Sequence, residues 1–189
     1  MSKRRVVITG LGAVTPVGND IPAFWAAIQE GKCGVAPITL YDTENNKCKL
    51  AAEVKDFQPE QFLDKKELRH MDRFTQFALV AAREAMQDSG LNMEQEDATR
   101  CGTVVSSGIG GIATTAEEHS KGLTKGFDRI SPFYIPMAIA NMAAGQIAIA
   151  YGLKGMCACP VAACAGGTNA VGDAFRYVRG GYAGGMVCG

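Results

Sequence analysis

Short apolar runs that stop at glycine alternate along this chain with longer runs of helical period. Few backbones accommodate that alternation other than a mostly parallel sheet covered by helices on both faces. Residues 5–9 (Arg-Val-Val-Ile-Thr) are a β-branched run halted by Gly10 and Gly12, the pattern of a buried strand entering a glycine turn. Residues 102–107 form a second such run before Gly108, Gly110 and Gly111, residues 157–163 a third, and residues 185–188 a fourth. Between them the spacing predicts a helix over 22–29, with Ile21, Phe24, Trp25 and Ile28 at helical intervals and Gly31 as its stop. Residues 65–88 carry the longest helical pattern, with Leu68, Met71, Phe74, Ala78, Ala81 and Ala85 on one face and Gly90 as terminator. A polar helix bears Glu117, Glu118 and His119, and residues 136–151 are apolar nearly all round, as in a buried helix. A last helix over 167–179 directs Ala170, Val171, Ala174, Phe175 and Val178 to the core, while residues 34–57 lack a period and read as loops and short strands. The fold class is α/β. The sequence stops inside its fourth strand, so we expect a truncated chain with a bare sheet edge, prone to aggregate or stay partly unfolded in isolation.

Composition narrows the function by exclusion. The 189 residues include nineteen basic and nineteen acidic side chains, which cancel. A nucleic-acid or membrane-surface protein needs a basic excess for its phosphate contacts. No apolar run reaches the roughly 18–20 residues of a membrane helix. The basic start Met-Ser-Lys-Arg-Arg precedes only a short apolar run, which reads as a strand and not as a signal peptide. Seven cysteines, an odd number spread along the chain, make no disulfide scaffold. We expect a reducing, cytoplasmic setting.

The chemically informative segment is Ala162-Ala163-Cys164-Ala165-Gly166-Gly167-Thr168-Asn169. A strand runs into a cysteine, glycines allow a sharp turn, and a helix begins at once, the arrangement of a nucleophile elbow. A thiol at a helix N-terminus meets unpaired N–H groups and the positive end of the dipole, and both favour the nucleophilic thiolate. The same local pattern also suits a buried cysteine packed as a small hydrophobe. Cys157-x-Cys159-x4-Cys164, with or without Cys188, fits no common zinc or iron–sulfur spacing. Gly10-Leu-Gly12-Ala-Val-Thr lacks the third glycine of a dinucleotide turn and opens no helix. Neither a metal site nor a nicotinamide cofactor is expected from these spacings.

Three separated segments carry a resemblance. They are residues 4–12 (Arg-Arg-Val-Val-Ile-Thr-Gly-Leu-Gly) with Pro16-Val17-Gly18, then Ser107-Gly108-Ile109-Gly110-Gly111, then Cys164-Ala165-Gly166-Gly167-Thr168-Asn169-Ala170 with Gly172-Asp173-Ala174. Ile130-Ser131-Pro132-Phe133 and Asn141-Met142-Ala143 also fit. In order and spacing the whole of 1–189 resembles the N-terminal half of a type II elongating β-ketoacyl-acyl carrier protein synthase of the thiolase superfamily. Ile109 followed by two glycines is similar to the type II branch and not to type I.

The resemblance implies a thiolase-like layered fold, with residues 1–189 as an N-terminal ketosynthase domain lacking its C-terminal half. It implies that Cys164 accepts an acyl chain from acyl carrier protein. Malonyl-acyl carrier protein would then lose carbon dioxide, and its carbanion would attack the acyl thioester in a Claisen condensation. Cys164 would lend its own backbone N–H to an oxyanion hole. Ile109, Tyr134 and Ile135 would line the acyl pocket, the last two across a homodimer interface, and residues 156–163 would pair with their twofold mate. Lys65, Lys66 and Arg69, beside His70, would dock the acidic carrier protein, although such a run also suits a solvated helix face.

This sequence departs from the family pattern at Ala162, where threonine is usual, at Gly166, where serine or threonine is usual, and at Met156, where proline is common. The family's two catalytic histidines lie in the absent half, and neither His70 nor His119 matches them. We therefore expect acylation, without condensation, from these residues alone. The alternatives are a polyketide-type ketosynthase, or a non-catalytic half that binds a complementary half or the carrier protein. A chain-length subunit would be expected to lack the nucleophile, which Cys164 disfavours.

Overall fold

The computed structural model describes residues 4–189. In chain order its elements are α1 (Ile21–Gln29), β1 (Ala36–Pro37), β2 (Leu50–Ala51), α2 (Lys65–Leu68), α3 (Arg73–Ser89), β3 (Cys101–Val104), α4 (Ile112–Lys125), α5 (Tyr134–Ala138), α6 (Met142–Tyr151), β4 (Cys157–Ala158), α7 (Gly166–Arg179) and β5 (Gly185–Cys188). β1 and β2 form a small antiparallel pair. The main sheet has the order β4-β3-β5 and is parallel throughout. Thr103 lies opposite Cys157 on one side and Val187 on the other.

All four residues of β3 are buried, as a central parallel strand covered on both faces requires. On one face Cys101 joins Met71, Leu79, Ala82, Ile147 and Leu153 in a single apolar cluster. Successive side chains alternate across a strand, so Val104 points the other way, where α7 packs with Ala170 and Ala174 buried. Ile147 and Val104 are almost wholly removed from water, and burial of a side chain of that size contributes about 1.5–3 kcal/mol.

Two expected helices are each broken in two. The pattern over 65–88 divides into α2 and α3, because Asp64 and Asp72 each cap a new N-terminus. Asp64 accepts from Lys66 N–H and Asp72 from Phe74 N–H. The buried face of α3 is Thr75, Leu79, Val80, Ala82 and Met86, rotated from the alanine-rich stripe that periodicity favoured. Gly90 does end α3, in the left-handed conformation. Residues 136–151 divide into α5 and α6 at Ile139, whose backbone is extended. Other expectations need smaller corrections. The third strand covers only Cys157–Ala158 instead of 157–163. On α7, Val171 and Phe175 are exposed, and on α1 Trp25 and Ile28 face outward while only Ala27 is buried.

The first expected strand is not one. Residues 5–9 take up no regular secondary structure and are unpaired among the described residues, and Val7 and Ile8 are more than two-thirds exposed. Their continuation lies on α3 instead. Leu11 N–H donates to Asp88 Oδ2 at 2.9 Å and Ala13 N–H to Glu84 Oε2 at 2.9 Å. A β-carbon on Gly10 or Gly12 would collide with the carbonyls of Ala85 and Ala81, so the glycines serve close backbone approach and not only a turn. No described helix is long and apolar enough to cross a membrane.

Candidate functional site: the Cys164 turn

β4 ends at Ala158, an irregular stretch follows, and residues Ala163–Ala165 make one 3₁₀ turn before α7 begins at Gly166. The expected direct passage from strand to helix is thus a longer approach. Ala163 supplies the reversal with a left-handed backbone, φ 47°, which costs a non-glycine residue roughly 1–2 kcal/mol. Cys164 comes next, exposed, so it is not a packed core thiol. Its backbone N–H meets no acceptor among the described residues. It lies two residues before a fourteen-residue helix, whose N-terminal amides favour negative charge.

Ser106 braces this turn. Its Oγ donates to the Pro160 carbonyl at 2.7 Å, and its N–H donates to the Gly189 carbonyl at 2.8 Å. Gly166 is buried, and a β-carbon there would run into Ser106 Oγ. Glycine at 166, a departure from the family pattern, is therefore what this Ser106 requires. Sequence reading missed Ser106, since one serine in a strand end gives no signal until its partner is seen.

Ile109 sits on the loop that leaves the C-terminal end of β3, and Cys164 on the loop that leaves β4. The strands are parallel neighbours, so both loops open on the same edge of the sheet, where open α/β sheets bind ligands. The Ile109 loop is held rigidly. Gly110 N–H donates to Ser107 Oγ at 3.0 Å, Gly110 adopts φ 80°, and Gly111 N–H donates to the Ala138 carbonyl at 2.9 Å. Ala138 closes α5, which begins with half-buried Tyr134 and exposed Ile135. The structure thus brings the Ile109 loop and α5 together and leaves Ile109 itself 70% exposed.

Lys65, Lys66 and Arg69 are all exposed on and just after α2. His70 stacks on Phe133 with ring centroids 4.0 Å apart, which connects the basic turn to the residue preceding Tyr134. His119 is exposed on α4, with its ring centroid 6.4 Å from that of Phe127. Glu118 accepts from Ser131 N–H at 2.7 Å, and that bond, with help from Lys121, holds its carboxyl below the ordinary 4.5. Burial pushes the thiols of Cys101, Cys157 and Cys188 above the ordinary 9.0.

An exposed thiol just ahead of a helix, at the C-terminal edge of a parallel sheet, is what this geometry offers, and the class follows from comparison. The chain belongs to the β-ketoacyl synthase family, matching its N-terminal domain over residues 3–189. Among curated relatives it is 48% identical over 189 residues to the 3-oxoacyl-[acyl-carrier-protein] synthase 2 of Synechocystis sp., covering all of this chain and 45% of that protein. It is 47% identical over 186 residues to the enzyme of the same name from Staphylococcus aureus strain COL, covering 98% of this chain and 45% of that protein. The chain therefore spans about half the length of these relatives. Among solved structures it resembles the ishigamide ketosynthase/chain length factor, with TM-score 0.86 and 28% identity over 96% of this chain and 46% of that one. It also resembles a β-ketoacyl synthase from Burkholderia phymatum, with TM-score 0.80 and 26% identity over 96% of this chain and 45% of that one. The thiolase-like fold expected from the sequence is the fold of these ketosynthases.

Proposed function

We propose that Cys164 is the acyl-accepting nucleophile of a 3-oxoacyl-acyl carrier protein synthase in fatty acid elongation. The observation that carries this reading is an exposed thiol just ahead of α7 whose own N–H has no acceptor among the described residues. The Cys164 thiolate attacks the carbonyl carbon of an acyl-carrier thioester. The oxyanion that develops takes a hydrogen bond from Cys164 N–H, the carbon–sulfur bond to the carrier breaks, and the carrier leaves as its thiolate, which takes a proton from water. In the second half-reaction malonyl-acyl carrier protein loses carbon dioxide, and the carbanion attacks the acyl-Cys164 carbonyl. The new carbon–carbon bond yields 3-oxoacyl-acyl carrier protein and returns the Cys164 thiolate.

Ile109, Tyr134 and Ile135 line the acyl chain's path, with Tyr134 and Ile135 reaching a second protomer of a homodimer. The exposed cations Lys65, Lys66 and Arg69 receive the acidic carrier protein. Neither His70, stacked on Phe133, nor exposed His119 is assigned to decarboxylation. That step belongs to a second ketosynthase half, so this chain alone takes up acyl groups without condensing them. Seven free thiols support a reducing cytoplasmic setting. The test is to incubate the full-length gene product with hexanoyl- and palmitoyl-acyl carrier protein and map the adduct by peptide mass. The expected result is one acyl group on Cys164, lost in Cys164→Ala. Acylation elsewhere, or none, overturns the reading.

A further inference from the structure

One buried carboxylate caps two helices at once, α3 and α4. Asp72 is 7% exposed. Its Oδ1 accepts from Phe74 N–H at 3.3 Å, in the first turn of α3. Its Oδ2 accepts from Thr114 N–H at 3.0 Å and from Thr114 Oγ1 at 2.6 Å, in the first turn of α4. α4 has no capping side chain of its own, because its N-cap is Gly111. Asp72 supplies the missing acceptor from 42 residues away, and its charge faces the positive ends of both helices. The approach is close enough that a β-carbon on residue 111 would lie 2.7 Å from Oδ2. Glycine at 111 is thus demanded by Asp72 as much as by the loop.

The placement of this carboxylate is the informative part. On one side it follows the basic turn Lys65–Arg69 and His70, whose ring lies on Phe133. On the other it holds the C-terminal end of the 107–111 loop, whose Gly111 N–H is tied to Ala138 of α5. We propose that Asp72 is a positioning residue for acyl selectivity, fixing through Thr114 where the loop presents Ile109 beside α5. This rests on the reading of Cys164 as acyl acceptor and of Ile109 as pocket wall. Asp72 touches no reacting atom and acts only through the loop it anchors.

Replacing Asp72 by Asn removes the charge and leaves one acceptor oxygen where two are used, so an NH2 group must face either Phe74 N–H or Thr114 N–H and the shared cap is broken. A pocket wall displaced by a fraction of an ångström changes how acyl chains of different length seat, while the thiol itself is untouched. The experiment measures kcat/KM for transfer of hexanoyl and palmitoyl groups from acyl carrier protein to Cys164 in the full-length gene product, wild type against variants. Asp72→Asn is expected to change the hexanoyl-to-palmitoyl ratio on the order of tenfold. Thr114→Val, which keeps the backbone bond to Asp72, should change it in the same direction by less, and Thr114→Ser should retain the wild-type ratio. If Asp72→Asn does not fold, Thr114→Val against Thr114→Ser decides the matter alone. A lower melting temperature with an unchanged ratio would make Asp72 merely structural and overturn the proposal. Failure of the wild type to acylate Cys164 would instead sink the reading beneath it, so the two failures are distinguishable.

Discussion

The hydroxyl of Ser106 occupies the space that a β-carbon on residue 166 would need, while donating to the Pro160 carbonyl at 2.7 Å. The backbone of Gly166 is ordinary right-handed helix (φ −55°, ψ −50°), so alanine there would otherwise be favoured by helix propensity. Contact decides the sign. Gly166→Ala should destabilise the full-length gene product by about 1–3 kcal/mol, the usual cost of overpacking. Removing the hydroxyl as well, in Ser106→Ala with Gly166→Ala, should recover part of that loss, less about 1 kcal/mol for the hydrogen bond to Pro160. Denaturant melts of the two single variants and the double variant give the coupling directly. Additive effects would show that the two sites do not meet.

Alkylation separates the thiols by access and charge. Cys101 is buried; Cys157 and Cys188 lie at the surface, but partial desolvation of their sulfurs pushes these thiols up like that of Cys101, so less thiolate is present on each at neutral pH. Cys164 is exposed at the mouth of α7. An alkylator with an acyl-like tail should modify Cys164 well ahead of the other six. Peptide mapping after brief exposure reads the order, and even labelling would argue against an activated thiol.

Much of this was legible because glycine and β-branched residues mark a parallel α/β chain strongly. The Cys164 segment followed by Gly166 and Gly167 announced a turn into a helix, and the turn is there. What stayed hidden was decided by partners far along the chain. Residues 5–9 have strand composition, but a strand needs a ladder neighbour, and the following backbone is instead held by Glu84 and Asp88. The break before α3 is set by Asp72, whose second acceptor oxygen is used by Thr114, a pairing invisible to local periodicity. Ser106 likewise acquires meaning only against Pro160 and Gly166.

Acid should loosen the approach to α5. Glu118 accepts from Ser131 N–H and pairs with Lys121 at 3.2 Å, which depresses its folded pKa below 4.5. A depressed carboxyl contributes stability that is complete above its unfolded pKa and disappears as pH falls through the lower folded value. Protection of the Ser131 amide against hydrogen exchange, corrected for the intrinsic rate, should therefore hold as pH falls to 4.5 and decline only below it. Glu118→Gln should weaken that protection already at neutral pH. Identical protection in both proteins would show that the bond does not hold the segment.

Charge reversal tests the basic turn. Lys65, Lys66 and Arg69 are exposed, and none takes part in a salt bridge among the described residues, so their field is free to act on an incoming partner. An exposed ion pair is worth only about 0.2–1 kcal/mol, yet three reversals replace attraction by repulsion at once. Lys65→Glu, Lys66→Glu and Arg69→Glu together should weaken acyl carrier protein binding by roughly tenfold or more at low ionic strength. The difference should shrink as salt shortens the Debye length to about 8 Å near physiological strength and further beyond it. Calorimetric titration at several salt concentrations reads the loss and its salt dependence. An affinity that the triple variant leaves intact at low salt would remove α2 from the docking surface, whatever the fate of Cys164.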